Sequence, residues 1–167
     1  VYRQPEVIAL AFLGFSGGLP FLLVFSTLTA WLTEGDVSRS AIGFFAWIGI
    51  TYSIKVLWAP VVDSLPVPGF TKSFGQRRSW MIAGQLGIAV GLILMALVGP
   101  ENLFYLSLAA FLVAFSSATQ DVSIDAYRIE AADAEYQGAM SAAYVFGYRV
   151  ALLVAGAGAL YLADYLS

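Results

Sequence analysis

Residues 79–120 read SWMIAGQLGIAVGLILMALVGPENLFYLSLAAFLVAFSSATQ, which is two apolar runs separated by a short turn. Each run has about 20 residues, the length that an α-helix needs to cross a hydrocarbon core of ~30 Å. The only charged residue in the stretch is Glu101, in the turn. The stretch therefore predicts two consecutive membrane-spanning helices.

Three further runs of this kind bring the total to five. The runs are Val7–Leu32, Ser40–Val62, Ser79–Pro100, Asn102–Gln120 and Tyr136–Ala163. Hydrophobic residues make up 60% of the chain, charged residues 11%, and the mean hydropathy is +0.81, values far from those of soluble domains. We predict an all-α fold, a polytopic transmembrane helix bundle. Its spans are expected at about 7–32, 40–62, 79–100, 102–126 and 137–163.

The residue types that the chain lacks exclude several kinds of chemistry. The 167 residues include no cysteine and no histidine. The chain therefore offers no disulfide, no thiol nucleophile, and no histidine to serve as a base or zinc ligand. We predict no enzyme activity, no metal site, no cofactor and no nucleic-acid partner.

Basic residues are distributed unevenly between the connections. One side of the membrane receives Arg3, Lys72, Arg77, Arg78 and Arg128, and the other side receives Arg39. The positive-inside rule then places the N-terminus in the cytoplasm and the connections Thr33–Arg39 and Gly99–Glu101 in the periplasm. Five is an odd number of spans and the first residue is not methionine, so we expect a fragment of a longer protein.

A group of polar side chains lies at the end of the fourth run, in SSATQDVSIDAYRIE (116–130). Its members are Gln120, Asp121, Asp125 and Arg128. A charged side chain at the bilayer centre costs ~2.5–3.5 kcal/mol on insertion scales, and such residues commonly mark an ion or substrate pathway. A spacing of four places both carboxylates on one helical face, with Arg128 within reach of Asp125. The pattern favours transport.

Two buried charges are expected at the same depth. With a rise of ~1.5 Å per residue, Lys55 and Asp121 each lie roughly 10 Å inside their helix ends. Because an unpaired buried charge is costly, we predict that they pair, directly or through water. The alternative is that Lys55 extends alone to the headgroups.

Arg149 is the candidate for substrate contact. It lies roughly 16 Å inside the fifth span, and its planar guanidinium suits a carboxylate or a phosphate. Tyr144 and Tyr148 stack one turn apart beside it. The alternative is that Arg149 pairs with an acidic residue in another part of the protein.

Glycines and one proline mark the first span, in LGFSGGLP (13–20). Proline removes a backbone donor and clashes with the preceding turn, so we expect a break in this helix. The break either lines a transport site or serves helix packing. The glycines of the third and fifth spans are expected to allow close helix packing.

The loop between the second and third spans holds a second charged motif. Asp63 is followed by Gly75-Gln76-Arg77-Arg78. An aspartate at a helix C-terminus is unfavourable with respect to the helix dipole. We therefore expect Asp63 to have a partner, such as an arginine or the N-terminus of another helix.

These segments together resemble a known family. The D…G-x-R-R loop looks like the loop between spans two and three of the major facilitator superfamily. The strings LGFSGGLP, KVLWAP-V-V-D, FGQRRSW, SATQDVSIDAYR and GYRVALLVAGAGALYLAD are similar to the AmpG-type muropeptide permeases, in matching order over nearly the whole chain. Ser64, where that family commonly has a basic residue, and a longer loop are departures.

The resemblance implies five of the six helices of the N-terminal half of a monomeric, multi-pass transporter of the bacterial inner membrane. It implies import of anhydro-muropeptides, which are N-acetylglucosamine–anhydro-N-acetylmuramic acid peptides, from periplasm to cytoplasm by proton symport for peptidoglycan recycling. By the same resemblance the proton pathway comprises Gln120, Asp121, Asp125 and Lys55, and the gating loop comprises Asp63, Arg77 and Arg78. An acetyl-coenzyme A transporter, or a transporter of another solute from the same superfamily, is the alternative.

An enzyme is the alternative from another class. The pair Asp121 and Asp125 resembles the Mg²⁺-diphosphate motif of intramembrane prenyltransferases, in which carboxylates bind a hard cation. Such enzymes need a second acidic cluster on another helix. The other four runs offer none.

Overall fold

Five long helices form the structure, a computed structural model that describes residues 4–131 and 133–166. They are α1 (Pro5–Glu34), α2 (Arg39–Leu57), α5 (Gln76–Val98), α6 (Leu103–Ala131) and α7 (Ala134–Tyr165). Two short helices, α3 (Ala59–Ser64) and α4 (Thr71–Phe74), lie between α2 and α5. The described residues contain no β-strand, so the all-α prediction is confirmed.

The outer surface of the bundle is apolar. Large side chains such as Phe12 and Leu97 are 73% and 77% exposed. All five long helices are long and apolar enough to cross a membrane. A surface of this kind fits a lipid environment. The helix ends do not determine where the bilayer begins, and the span limits therefore stay a prediction.

Helix α6 occupies the centre of the bundle. It is the most buried of the five long helices and contacts α1, α2, α3, α5 and α7. Small side chains on α6, such as Ala110, Ala114 and Ala118, are fully buried and permit this close approach. The inner polar residues of the SSATQDVSIDAYRIE stretch, such as Ser117 and Gln120, are consequently held between several helices.

Glycines set the distance between α1 and α7. A Cβ atom added to Gly147 would overlap the carbonyl oxygen of Ala11, and one added to Gly14 would overlap the carbonyl oxygen of Tyr144. Only glycine permits this backbone contact, because any side chain would separate the helices. The packing function predicted for the glycines of the fifth span is thus observed at Gly147.

The expected break in the first span lies elsewhere. Residues Pro5–Leu22 form one continuous α-helix that includes Pro20, and a π-helical segment follows at Leu23–Thr27. The prediction of a break within LGFSGGLP was wrong: the helix continues through Pro20, and Gly14 and Gly18 pack closely against α7, which is the packing alternative. Helix α7 has its own π-helical segment at Val154–Gly158, and the Thr27 hydroxyl donates to the Ala155 carbonyl at 2.8 Å.

Helix α2 ends in a tight turn that contains Lys55. Residues Lys55–Leu57 form a 3₁₀ turn, and α3 then begins at Ala59. Pro60 has no N–H group, and its ring would clash with the carbonyl group four residues earlier in a continuous helix. This local stop positions Lys55 at the end of α2, facing α6.

Candidate functional site

Lys55 and Asp121 form an ion pair between α2 and α6. The Lys55 Nζ atom lies 3.6 Å from Asp121 Oδ2, and the two side chains are 31% and 15% exposed. The pairing predicted from their equal depths is confirmed. Because the carboxylate is the more buried partner, its charge depends more strongly on the pair than the charge of the ammonium group does.

The second oxygen of the Asp121 carboxylate faces α1 and α7. A Cβ atom added to Gly17 would lie 3.1 Å from Asp121 Oδ1 and 3.3 Å from the Tyr144 hydroxyl. Asp121 Oδ1 is buried and makes no hydrogen bond of good geometry within residues 4–131 and 133–166, although the Tyr144 hydroxyl lies beside the carboxylate. The absence of a side chain at Gly17 thus leaves room for both polar groups at the junction of three helices.

The two tyrosines of α7 complete this group. The rings of Tyr144 and Tyr148 are 6.2 Å apart and inclined by 33°, so they meet one turn apart in a tilted contact and not in the predicted stack. Tyr144 is an electrostatic neighbour of Asp121, and Asp121 is one of Tyr148. We call Lys55, Asp121, Tyr144 and Tyr148 the Asp121 cluster.

Gln120 faces a different side of α6 from Asp121. Its side chain is fully buried, and Nε2 donates to Ser16 Oγ at 2.7 Å. The Ser16 hydroxyl in turn donates to the Leu13 carbonyl at 2.9 Å. A Cβ atom added to Gly84 of α5 would lie 2.9 Å from Gln120 Cβ. Gln120 therefore connects α6 to α1, at a position directly beside α5. The hydrogen bond between Gln120 and Ser16 was not predicted from the sequence.

Asp125 occupies a more accessible position than Asp121. Its side chain is 50% exposed, and Arg128 Nη2 lies 3.8 Å from Asp125 Oδ1. The contact expected from their spacing of three is present. An accessible pair at this distance contributes at most ~1 kcal/mol to stability.

Arg149 follows Tyr148 in the chain but points away from the face of α7 that packs against α1. Residues 147 and 151 of α7 are buried and face α1, and at 100° per residue Arg149 points about 200° away from both. Arg149 is exposed and forms no ion pair with the described part of the chain. Its assignment as a substrate contact stays a prediction.

Arg77 joins the ends of α3, α5 and α6. We call this region the charged end of the bundle, and its members are Asp63, Gln76, Arg77 and Glu130. Its Nη1 donates to Asp63 Oδ1, while Nε and Nη2 donate to Glu130 Oε1 at 3.0 and 2.7 Å. The expected arginine partner of Asp63 is confirmed. Glu130 was not predicted, although it ends the SSATQDVSIDAYRIE stretch and a guanidinium can bind two carboxylates.

Gln76 is a second residue of the charged end that sequence reasoning missed. Its Nε2 lies 3.0, 3.3 and 2.8 Å from the carbonyl oxygens of Val62, Asp63 and Leu65. These carbonyls belong to the end of α3 and the residue after it, where the helix leaves acceptors without partners. Arg78, in contrast, is exposed and forms no ion pair within residues 4–131 and 133–166. Arg3 lies outside the described residues.

The acidic residues of α6 do not form a metal cluster with other elements. In the described ranges, no group of three or more acidic, histidine or cysteine side chains is placed to hold a metal ion. Asp121 faces Lys55, and Asp125 faces Arg128. The second acidic cluster that the prenyltransferase alternative requires is not found among these residues.

The chain resembles known membrane transporters over almost its full length. Residues 6–165 match the model of the family described as Acetyl-coenzyme A transporter 1. The chain belongs to this family. It is 39% identical over 165 residues to the anhydromuropeptide permease of Escherichia coli K12, an alignment that covers 98% of this chain and 33% of the permease.

A further relative has the same degree of similarity. The protein named AmpG 4 in Rickettsia conorii is 39% identical over 165 residues, which cover 98% of this chain and 40% of that protein. The chain thus spans about one third to two fifths of the length of these curated relatives. The resemblance to AmpG-type permeases is confirmed, and together with the five apolar helices it identifies a multi-pass membrane protein of a transporter family.

Proposed function

We propose that the protein containing this chain is a secondary active transporter, not an enzyme. It imports anhydro-muropeptides from the periplasm to the cytoplasm of a bacterium by proton symport and serves peptidoglycan recycling. The substrate class rests on the name of the Escherichia coli relative. The protein acts as a monomer in the inner membrane, and its N-terminus is cytoplasmic.

The observation that carries the transport mechanism is the ion pair between Lys55 and Asp121. The pair connects α2 to α6 through a largely buried carboxylate at a distance of 3.6 Å. Protonation of Asp121 would remove its attraction to Lys55 and weaken this connection. A proton that binds there can therefore release one helix from the other, which couples proton binding to a change in conformation.

The remaining site residues have supporting functions in this proposal. Tyr144 and Tyr148, which flank Asp121, contact the sugar rings of the substrate, and Gln120 holds α1 in place beside them. Arg149, whose guanidinium is exposed, binds a substrate carboxylate. Replacement of Arg149 by alanine should raise the KM for uptake more than it lowers the maximal rate, and Arg149→Lys should recover part of the loss.

The charged end has the function of a gate in this proposal. Asp63, Arg77 and Glu130 hold α3, α5 and α6 together, and their separation accompanies opening on the cytoplasmic side. Arg78 and Asp125 remain near water and interact with lipid headgroups or solvent. Asp125 is structural.

A test of proton coupling compares two carboxylates of the same helix. The full-length protein is reconstituted in proteoliposomes, and uptake of a labelled anhydro-muropeptide is driven by an imposed pH difference. Asp121→Asn should abolish accumulation against the gradient but leave counterflow exchange partly intact. Asp125→Asn is the control and should reduce the rate while accumulation persists. Accumulation by Asp121→Asn at the level of the unmodified protein would exclude Asp121 as the proton carrier.

The family description favours a second candidate substrate, acetyl-coenzyme A. The same proteoliposomes distinguish the two substrates when labelled acetyl-coenzyme A replaces the muropeptide. Saturable uptake of acetyl-coenzyme A without uptake of the muropeptide would assign the second function.

The proposed orientation is tested by cysteine labelling. The chain contains no cysteine, so single cysteines at Ser38 and Ser73 report on two connections once cysteines elsewhere in the protein have been replaced. An impermeant reagent applied from the periplasm should label position 38 and leave position 73 unmodified. The reverse pattern would contradict the orientation.

A further inference from the structure

A polar stripe extends along α6 from the accessible end into the interior. Ser117, Asp121 and Asp125 are spaced by four residues and therefore share one face of the helix. The Asp125 side chain is 50% exposed, the Asp121 side chain is 15% exposed, and Ser117 is fully buried. The stripe thus passes from a position open to water to one closed from it, and the proposed proton carrier lies between the two.

Three buried oxygen atoms lie at the inner part of this stripe, and none of them makes a hydrogen bond of good geometry within the described residues. They are Asp121 Oδ1, Ser117 Oγ and Tyr52 Oη. Tyr52 comes from α2, its hydroxyl group is a hydrogen-bonding neighbour of Ser117, and Asp121 is one of its electrostatic neighbours. A buried polar group left unpaired costs about 1–3 kcal/mol, and these three oxygen atoms retain hydrogen-bonding capacity that one shared partner can satisfy.

Water fits this position better than a cation does. Side chains four residues apart on a helix have Cβ atoms roughly 5–6 Å apart. Two hydrogen bonds of about 2.8 Å, end to end, span a similar distance, so one water can bridge Asp121 and Ser117. Lys55 already neutralises the carboxylate at 3.6 Å, and an added cation would leave an excess buried charge.

Aromatic rings close the inner end of this polar group. The Tyr52 ring meets the Phe21 ring edge-on, with centroids 5.5 Å apart and an angle of 77°, and lies 6.0 Å from the Phe25 ring. The neighbours of the Tyr52 ring on α1 are therefore apolar. Ser117 and Tyr52 form a short polar branch that ends against α1.

We propose that Ser117 and Tyr52 are positioning residues that hold a relay water against Asp121, through which the carboxylate exchanges its proton. The water donates one proton to the carboxylate and accepts another, so neither the water nor the two hydroxyl groups change charge and one proton is moved in total. The other ionisable groups that face this path are Lys55, Asp125, Tyr144 and Tyr148. The inference rests on the proposed function of Asp121.

The test uses variants of the full-length protein in proteoliposomes. Tyr52→Phe removes the hydroxyl group and retains the ring, and Ser117→Ala removes the other hydroxyl group. Each variant should lower pH-driven accumulation of a labelled anhydro-muropeptide about tenfold, the effect of losing one buried hydrogen bond. Exchange of substrate without a pH difference should be unchanged, and Ser117→Thr should restore accumulation.

A matched control comes from the same helix. Ser123 is also fully buried, but its hydroxyl donates to the Thr119 carbonyl at 3.2 Å. Ser123→Ala should therefore leave both accumulation and exchange unchanged. If Ser117→Ala fails to insert into the membrane, Tyr52→Phe decides the question, because its ring packing against Phe21 is retained.

The outcomes separate this inference from the proposed function. Normal accumulation by Tyr52→Phe, or an equal loss of accumulation and exchange, would overturn the relay. If Asp121→Asn loses accumulation while Tyr52→Phe retains it, the relay is wrong and proton carriage by Asp121 stands. If Asp121→Asn retains accumulation, or the unmodified protein transports no muropeptide, both proposals fail.

Discussion

Removal of either partner of the ion pair between Lys55 and Asp121 should have unequal effects on stability. Lys55→Met leaves a carboxylate that is only 15% exposed, whereas Asp121→Asn leaves an ammonium group that is 31% exposed and can extend toward water. We expect Lys55→Met to lower the free energy of unfolding by about 3 kcal/mol, near the lower end of values for a broken buried pair. Asp121→Asn should cost about 1 kcal/mol, because a more exposed charge loses less.

The coupling free energy between the two substitutions follows from the distance between the two charges. Two unit charges 3.6 Å apart attract each other by about 4.6 kcal/mol at an effective dielectric constant of ~20. The exposed fraction of Lys55 reduces this value through solvent screening. We expect a coupling free energy of about 1–3 kcal/mol in a double-mutant cycle, so the double mutant should be more stable than the sum of the two losses predicts.

The measurement is equilibrium unfolding of the purified full-length protein in mixed detergent micelles, for the unmodified protein, both single variants and the double variant. The control cycle combines Asp125→Asn with Arg128→Met, a more exposed pair at 3.8 Å, for which a coupling of at most ~0.5 kcal/mol is expected. Strict additivity at Lys55 and Asp121, or a larger loss for Asp121→Asn than for Lys55→Met, would refute the reasoning.

Three further predictions concern packing and the charged end. Gly147→Ala should destabilise the protein by about 1–3 kcal/mol in the same assay because the added methyl group meets the α1 backbone. Gly138→Ala, in open space in the first turn of its α-helical segment, should cause no loss of stability, and equal effects would contradict the packing. Gln76→Ala should lower the free energy of unfolding by about 1–2 kcal/mol, and Gln85→Ala, at an exposed position of the same helix, should have no effect. Arg77→Lys should lower the melting temperature although it keeps the charge, because an ammonium group cannot reproduce the planar fork that binds two carboxylates; full stability in this variant would exclude the bridging function.

Properties that belong to one helix could be predicted from the sequence. The number of long apolar helices follows from run length and hydropathy, because crossing a bilayer depends on those two quantities alone. The pair of Lys55 and Asp121 could also be predicted, since depth along a helix is a matter of counting residues. The partner of Asp63 followed from its unfavourable position at a helix end.

The packed face of each helix could be recognised only in the tertiary structure. Lipid and protein interior are both apolar, so the hydrophobic pattern does not mark which face of a membrane helix is packed. The depth of Arg149 was countable, but its direction away from α1 depended on which face of α7 packs. The same ambiguity concealed the bond between Gln120 and Ser16, whose positions in the chain are 104 residues apart.

The chain by itself thus determined that this protein is a helical membrane protein of a transporter family with an ionic pair in its interior. Tertiary structure decided that Gly17 gives Asp121 and Tyr144 a common space, and that Arg77 binds Glu130 as well as Asp63. The physical reason is that length, hydropathy and depth are properties of single segments. The close approach of two backbones, and the sharing of one guanidinium by two carboxylates, depend on how separate helices are oriented.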